Sequence, residues 1–158
     1  MPTKRKSKAK RPPLTRSQVM SRVRGKDTKP EMAVRRALWA AGYRYRLHAK
    51  DLPGRPDIVF RSRKIAIFVH GCFWHGHEGC PGHRIPKSRS EWWAAKIARN
   101  KARDAEVRGE LEGMGWTVMV VWECEATKSF RCEAILLRVP LTELHHKVAF
   151  PNMPLLQS

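Results

Sequence analysis

Apolar residues recur with a helical period in the segment that follows Thr28. Thr28 is a good N-cap residue, and Glu31 three positions later completes the pattern of a capping box. The pattern predicts a helix that ends near Gly42, because glycine is common just beyond the last turn of a helix. Four apolar side chains of this helix should be buried: Met32, Val34, Leu38 and Trp39.

Short apolar runs then predict a sheet. Residues 43–48 are a candidate first strand, and the turn sequence Leu-Pro-Gly-Arg-Pro follows them. Residues 57–60 and 65–69 are apolar runs with a short polar connection, which is the pattern of a β-hairpin. Residues 116–122 form a valine-rich run that predicts a buried strand.

Helices are predicted on both sides of these strands. We expect a short helix over residues 17–25, a long one over residues 90–113, and a final one from about residue 126 that packs Ile135, Leu136 and Leu137. A Cys/His-rich loop fills residues 70–89. Strands flanked by long helices predict an α/β fold with a central mixed β-sheet.

Length and composition add a domain plan and an expected compartment. The 158 residues suffice for one domain, which we place at residues 16–140 between a disordered basic arm (1–15) and a loosely ordered tail (141–158). No apolar run has the length of a membrane span, and the basic N-terminus lacks the apolar segment of a secretory signal. We therefore expect a cytoplasmic protein with reduced cysteines, which favours metal binding over disulfides.

The positive charge is concentrated at the N-terminus. Residues 1–26 contain ten lysines or arginines and no acid, which leaves +8 of the net charge of +18 for the rest. A basic arm on a moderately basic domain indicates a nucleic-acid partner, because neutralising phosphates releases counterions. A solvated tail or a membrane-binding segment is the alternative, and charge alone does not distinguish DNA from RNA.

A metal site is predicted in the segment HGCFWHGHEGCPGH, residues 70–83. Zinc prefers thiolate and imidazole ligands in tetrahedral geometry, and one loop with closely spaced ligands can supply most of them. Four residues are the expected ligands of a closed structural site: Cys72, His77, Cys80 and Cys124. His83 is the main rival ligand, and Cys132 is left over. The alternative is a loop without metal, in which Cys124 is a small buried residue.

Asp57 is the best candidate to anchor a catalytic magnesium ion. If the hairpin turns around Arg63, position 57 lies opposite Val69, and His70 joins Asp57 at one end of the sheet. Magnesium prefers oxygen ligands, and metal-assisted phosphodiester hydrolysis also needs a group that activates water. Taken alone, Asp57 would more often be a turn or cap residue, but the neighbouring histidines favour the catalytic interpretation.

His75 is the candidate general base, and Asp104 is the candidate acid that orients it. Asp104 recurs with Lys96 and Asn100 at intervals of four residues, so the three share one face of the long helix. From periodicity alone, a solvated helix face is the better interpretation of these three residues.

Four ordered motifs resemble the very-short-patch repair endonuclease family: PGRPD (53–57), FVHGCFWHGH (68–77), the helix pattern of residues 93–104, and GWTVMVVWEC (115–124). The resemblance covers residues 15–130 approximately. It implies a restriction-endonuclease-like core and an enzyme that nicks DNA 5′ of the thymine in T:G mismatches, which arise by deamination of 5-methylcytosine. It also implies two catalytic Mg²⁺ ions, one structural Zn²⁺ and a monomer that works with mismatch-repair proteins and a repair polymerase.

The resemblance also implies a role for individual residues. Asp57 matches the magnesium ligand, and the backbone carbonyl of Val69 helps to hold metal. His75 matches the general base and Asp104 its partner; His70 matches a second essential histidine, and Glu31 an acidic residue of the active site. The proposed zinc ligands match those of the family. Residues expected to contact the mismatched DNA are Met20, Phe73, Trp74, Trp93, Lys96 and Asn100, with Phe73 and Trp74 inserted as wedges between bases.

The sequence departs from related patterns in three places. The second strand reads Phe68-Val69-His70, where other nucleases with this core have an acid, any residue and a lysine. Val69 replaces a threonine, and one extra residue separates His77 from Cys80. Two other functions stay open at this point, a non-catalytic zinc protein that binds DNA and a restriction-type nuclease with another target. The acids Asp57 and Asp104 disfavour the former, and the paired aromatic residues disfavour the latter.

Overall fold

The computed structural model describes residues 25–127, which form a four-stranded sheet with helices. The elements are helix α1 (Lys29–Ala40), strands β1 (Arg46–Leu47), β2 (Ile58–Phe60) and β3 (Ile65–His70), helix α2 (Ser90–Gly113), strand β4 (Thr117–Trp122) and the short helix α3 (Glu123–Ala126). The arm, the predicted helix over 17–25, Met20, Cys132, most of the predicted final helix and both domain boundaries lie outside the described residues.

Helix α1 begins with the predicted capping box. The Thr28 side chain accepts from the backbone N–H of Glu31, and the Glu31 carboxylate accepts from the backbone N–H of Thr28. Val34 and Leu38 are buried as expected. The prediction for Trp39 was wrong, because its side chain is 55% exposed and the Arg44 guanidinium lies 3.8 Å from its ring centroid. A cation over the ring lets this large apolar side chain remain at the surface.

The sheet is mixed, as predicted, with strand order β1-β2-β3-β4. The first two pairings are antiparallel, and β3 pairs with β4 in parallel. The hairpin register differs by one residue from the prediction: Ile58 faces Ile67, so that position 57 falls opposite 68 rather than 69. A 3₁₀ turn over Arg61–Arg63, closed by Lys64 in the left-handed region, shifts the centre of the connection.

Alternate residues of the strands supply two separate cores. On one face, Ile58, Phe60, Ile65 and Ile67 pack with Val34 and Leu38 of α1 and with Ala126 of α3. On the other face, Val59 and Ala66 pack with Leu111 near the end of α2 and with Trp116, which directly precedes β4. The sheet therefore lies between α1 and α2, as the period-two alternation of strand side chains requires.

Helix α2 matches its predicted bounds, and β4 is less buried than expected, since Val121 is its one buried residue. Helix α3 begins at Glu123, earlier than the helix predicted from about residue 126. No helix within residues 25–127 has the length and apolar character needed to cross a membrane.

Candidate active site and metal centre

An open cleft lies at the end of the sheet where β2 begins and β3 ends. Its volume is about 1160 Å³. The predicted catalytic residues Asp57, Val69, His70, His75 and Asp104 line it, and Asn100 and His77 lie at its wall. Glu31 is not among the lining residues, so the structure brings five of the six predicted catalytic or magnesium-binding residues into one cavity.

Asp57 directly precedes strand β2, and a hydrogen bond to the next strand fixes its side chain. Its Oδ2 accepts a hydrogen bond of 2.8 Å from the backbone N–H of Val69, although the strand register is not the predicted one. Burial raises the pKa of the Asp57 carboxyl above its ordinary value; the Val69 N–H opposes this effect, and the nearby Glu31 adds to it. The charged carboxylate is thus poorly solvated, and a nearby cation would stabilise it.

The tight turn that precedes Asp57 is held against α2. Gly54 has a φ of +67°, and a β-carbon placed on it would lie 2.4 Å from Cγ1 of Val107. Only glycine combines this backbone conformation with so close an approach to the helix. The PGRPD segment therefore packs closely against α2, and this contact fixes the position of Asp57 relative to Asn100 and Asp104 on that helix.

His75 and Asp104 form the pair that the sequence suggested. His75 Nδ1 lies 2.6 Å from Asp104 Oδ2, and because an ionised carboxylate can only accept, Nδ1 donates. The imidazole Nε2 is then left as an acceptor. The solvated-face interpretation of α2 was wrong for two of its three residues, since Asn100 also donates from Nδ2 to the Trp74 carbonyl at 2.8 Å. Lys96 is half-buried.

His70 is stacked on His75. The two ring centroids are 3.8 Å apart with planes 12° from parallel, and His70 Nδ1 is 4.0 Å from Asp104 Oδ2. Burial lowers the pKa of His70 to about 4, and the His75 ring adds to this effect. His70 is therefore neutral near pH 7.

Glu31 has a partner that the sequence did not indicate. The buried Arg35 forms an ion pair with Glu31 one turn earlier on α1, and a second with Asp27 at 2.7 Å. Arg35 Nη2 also lies 2.8 Å from Nε2 of His48, whose Nδ1 is 4.0 Å from Asp57 Oδ1. Asp27, Glu31 and His48 bring three potential ligand atoms together. The Arg35 guanidinium already forms ion pairs with both carboxylates, so we interpret this group as an ion-pair network.

The aromatic residues of the Cys/His loop form one cluster with the start of α2. The Phe73 ring is 5.1 Å from the rings of both Trp74 and Trp93, in edge-to-face arrangements. Trp93 is buried, whereas Phe73 and Trp74 are half-buried. Trp92, which the sequence analysis passed over, is 45% exposed and contacts Trp93 at 4.7 Å. The buried Trp93 therefore supports the aromatic residues that stand nearer the surface.

The four predicted zinc ligands converge on one point. Their candidate ligand atoms all lie within 4.8 Å of one another, on Cys72, His77, Cys80 and Cys124. His77 Nδ1 is 3.5 Å from the sulfurs of both Cys72 and Cys124. With Zn–S bonds of about 2.3 Å and Zn–N bonds of about 2.0–2.1 Å, tetrahedral geometry separates such atoms by about 3.5 Å. The rival His83 is not part of this group.

The thiol chemistry fits a cation as well. Burial raises the pKa of the Cys72 thiol to about 12, so this thiol keeps its proton unless a cation stabilises the thiolate. Hydrogen bonding from the Gly82 N–H lowers the pKa of Cys80. Gly82 also passes close to the site, because a β-carbon on it would lie 3.1 Å from Cβ of Cys72.

Trp122 connects the two sites, and the sequence analysis gave it no role. Its indole lies on the His77 ring, with centroids 4.1 Å apart, and it meets the His70 ring edge-on at 5.6 Å. The sequence could have indicated this role, because Trp122 is the last residue of β4 and lies beside His70 at the end of β3. The place of His48 beside the active site could also have been predicted. Pairing residues 43–48 with 57–60 across the Pro-Gly turn places position 48 opposite Asp57.

Comparison with known proteins identifies the family. A family model described as DNA mismatch endonuclease Vsr matches residues 9–80. The type II nicking enzyme V.XorIIP of Xanthomonas oryzae pv. oryzae is 52% identical over 127 residues, which are 80% of this chain and 93% of that protein. The DNA mismatch endonuclease Vsr of Escherichia coli K12 is 40% identical over 110 residues, which are 70% of each chain.

This chain belongs to the Vsr family of DNA mismatch endonucleases. A further relative, the type II nicking enzyme V.NmeAIP of Neisseria meningitidis, is 46% identical over 78% of this chain and 88% of its own length. Membership confirms the predicted resemblance and makes the protein a DNA endonuclease. The mixed α/β fold fits membership of this family.

Proposed function

We propose that this Vsr-family endonuclease nicks one strand of duplex DNA 5′ of the thymine in a T:G mismatch, with Mg²⁺ as catalytic cofactor. The observation that carries the proposal is the arrangement of Asp57, His70 and the His75–Asp104 pair around one cleft. It combines a carboxylate for a hard cation with a histidine whose free nitrogen can accept a proton.

Each cleft residue has a defined part in the proposed reaction. Asp57 would hold Mg²⁺ through its carboxylate, whose Oδ2 accepts a hydrogen bond from the Val69 N–H. When bound, the metal would polarise the phosphate and stabilise the leaving oxygen. Asp104 fixes the proton of His75 on Nδ1, so that Nε2 accepts a proton from the attacking water. Neutral His70 contributes a hydrogen bond toward the phosphate rather than a positive charge. Glu31 does not line the cleft, and its part in the reaction is to hold Arg35 through their ion pair.

Mismatch recognition is proposed to involve the aromatic cluster. Phe73 and Trp74 precede His75 directly, so a wedge inserted at the mismatch would lie next to the general base. A mismatched step costs less to unstack than a paired one, which favours insertion at T:G sites. Asn100 is positioned by its hydrogen bond to the Trp74 carbonyl, and Lys96 lies one turn earlier on the same helix. Met20 is proposed as a third wedge.

A structural Zn²⁺ is proposed at the Cys/His cluster. The support is the tetrahedral spacing of the His77 nitrogen and two sulfurs, together with the buried Cys72 thiol. Four protein ligands close the coordination sphere, so this ion has no open position for substrate. The predictions of two Mg²⁺ ions, a monomer, a cytoplasmic location and repair-protein partners remain part of this proposal.

A nicking assay tests the proposal. End-labelled duplexes that differ in one T:G or T:A pair are incubated with the protein and Mg²⁺, in several sequence contexts. We expect one cut directly 5′ of the mismatched thymine and no cut in the T:A duplex. Equal cutting of both duplexes would replace the mismatch proposal with a sequence-specific nicking enzyme. Binding without cutting would refute the catalytic assignment.

A further inference from the structure

His48 occupies the ladder position directly opposite Asp57. Strand β1 ends with Leu47 paired to Ile58, and the backbone N–H of His48 continues the ladder by donating to the Asp57 carbonyl at 3.2 Å. His48 has a φ of +47°, in the left-handed region that non-glycine residues rarely adopt. Strand β1 thus ends just before His48, whose ring lies beside the proposed metal-binding carboxylate.

The contacts of His48 fix its protonation. Arg35 Nη2 lies 2.8 Å from Nε2, and because a guanidinium can only donate, Nε2 must accept. The ring proton of the neutral imidazole is then on Nδ1. Glu31 Oε1 is 3.4 Å from Nε2, a longer contact than the one that Arg35 makes with this nitrogen. Arg35 is itself held by Asp27 and Glu31, so this donor has little freedom to move away.

The protonated nitrogen faces Asp57. His48 Nδ1 is 4.0 Å from Oδ1, which is the carboxylate oxygen that the Val69 N–H leaves free. That distance is longer than a hydrogen bond, but an N–H dipole at this range still favours a charged carboxylate in a partly buried site. Val69 on β3 and His48, which directly follows β1, therefore each turn an N–H group toward one oxygen of Asp57.

We propose that His48 is a positioning residue for Asp57, and that Arg35 sets the tautomer in which it acts. His48 keeps Oδ1 oriented toward the cleft, so its loss weakens Mg²⁺ binding without removing a metal ligand. This inference deepens the proposed magnesium-dependent nicking and rests on it. Glu31 gains a defined part as well, since it anchors the arginine rather than the metal.

The first test is nitrogen-15 NMR of the histidine rings in the metal-free site of the zinc-loaded protein near pH 7. The signals that disappear in His48→Gln belong to His48. We expect its Nε2 to give the shift of an unprotonated, hydrogen-bond-accepting nitrogen and its Nδ1 to carry the proton. A proton on Nε2 would show that Arg35 does not set this tautomer and would overturn the proposal. This measurement needs no DNA cleavage.

The second test is the affinity for Mg²⁺, measured by calorimetry on the protein bound to an uncleavable duplex. We expect His48→Ala to weaken Mg²⁺ binding about 10-fold or more, as is typical when an outer-shell partner is lost. His48→Gln should be less affected, because its amide N–H can donate to Oδ1. Leu47→Ala is the control, since this exposed residue directly precedes His48 but pairs with Ile58 rather than with Asp57.

The two tests separate this inference from the proposed function. Unchanged Mg²⁺ affinity in a folded His48→Ala protein would overturn the positioning role, even if the wild type nicks T:G duplexes. If the wild type does not nick T:G duplexes but binds Mg²⁺ in a His48-dependent way, the mismatch proposal fails and the positioning role stands. Should His48→Ala not fold, the NMR result and His48→Gln decide.

Discussion

The ring of His77 lies flat on the indole of Trp122, with planes 2° from parallel. The same indole meets His70 edge-on, so one side chain contacts both a proposed zinc ligand and a residue of the catalytic cleft. His77 is also two residues from His75, with Gly76 between them. The metal centre and the active site are thus neighbours that share one aromatic contact, and disturbance of one should reach the other.

We expect Cys72→Ser to lower both zinc content and stability. A loss of about 3 kcal/mol would lower the thermal midpoint by about 6–12 °C for a chain of this size, and loss of a structural zinc costs at least that much. Metal analysis should give one zinc per wild-type chain and much less for the variant. Cys132→Ser is the control and should keep its zinc. An unchanged midpoint in Cys72→Ser would contradict the structural role.

Asp57→Asn should abolish nicking while the fold is kept. The amide oxygen can still accept from the Val69 N–H, but the neutral side chain is a poor ligand for Mg²⁺. Because burial raises the pKa of Asp57, removing its charge should leave the thermal midpoint unchanged or higher. Single-turnover nicking and a melting curve test this, with Asp51→Asn as an exposed control. Nicking at the wild-type rate would exclude Asp57 as the metal anchor.

Asp104→Asn should reduce nicking about 10²–10⁴-fold, the usual range for loss of general-base function. An asparagine can present its N–H to His75 and so favour the wrong tautomer. His75→Ala should have a similar effect, and the double variant should be no worse than either single one, because the two act as a unit. Additive losses in the three nicking rates would show that the residues work independently.

Gly76→Ala should damage the fold and the activity more than Gly79→Ala. Both glycines have positive φ, at +65° and +71°, so both substitutions carry the same backbone cost of about 1–2 kcal/mol. Only at Gly76 would the new β-carbon meet α2, at 2.9 Å from Cγ2 of Ile97, whereas Gly79 faces open space. Thermal midpoints and nicking rates of the pair isolate this contact. Equal effects would mean that the loop can move away from α2.

Phe73→Ala and Trp74→Ala should reduce discrimination between T:G and T:A duplexes. Stacking of a base on an aromatic side chain contributes about 1–3 kcal/mol, so we expect the ratio of the two dissociation constants to fall about 5- to 150-fold. Trp39→Ala is a matched control, because this exposed tryptophan lies on α1 outside the aromatic cluster. A ratio that stays at the wild-type value would exclude wedge recognition by this pair.

The sequence could predict which residues lie close together where a short-range pattern connects them. The hairpin placed Asp57 near His70, and the capping box located the start of α1. Cys72, His77 and Cys80 lie within nine residues, so one loop had to gather them. The helical period placed Lys96, Asn100 and Asp104 on one face, although it could not tell whether that face met solvent or the loop.

The predictions that were wrong or lacking concern contacts that a local sequence pattern does not reveal. The one-residue shift in register comes from the 3₁₀ turn and the left-handed Lys64, which differ little in sequence from an ordinary four-residue connection. Arg35 is buried because Asp27 and His48 converge on it from outside its helix. Trp39 can stay at the surface because the guanidinium of Arg44, which lies beyond the end of the helix, packs on one face of its ring.

The parallel pairing of β3 with β4 has a consequence for the order in which this enzyme is built. Asp57, His70 and His75 come from one short stretch of chain and can meet as soon as the hairpin forms. Asp104 and Cys124 arrive only when α2 has crossed over and β4 has docked. Such long-range closure is slow because the loop entropy is lost before the contacts form. Until α2 and β4 have docked, a folding chain would hold a carboxylate and two histidines with neither the orienting acid in place nor a complete metal centre, and it would be inert toward DNA.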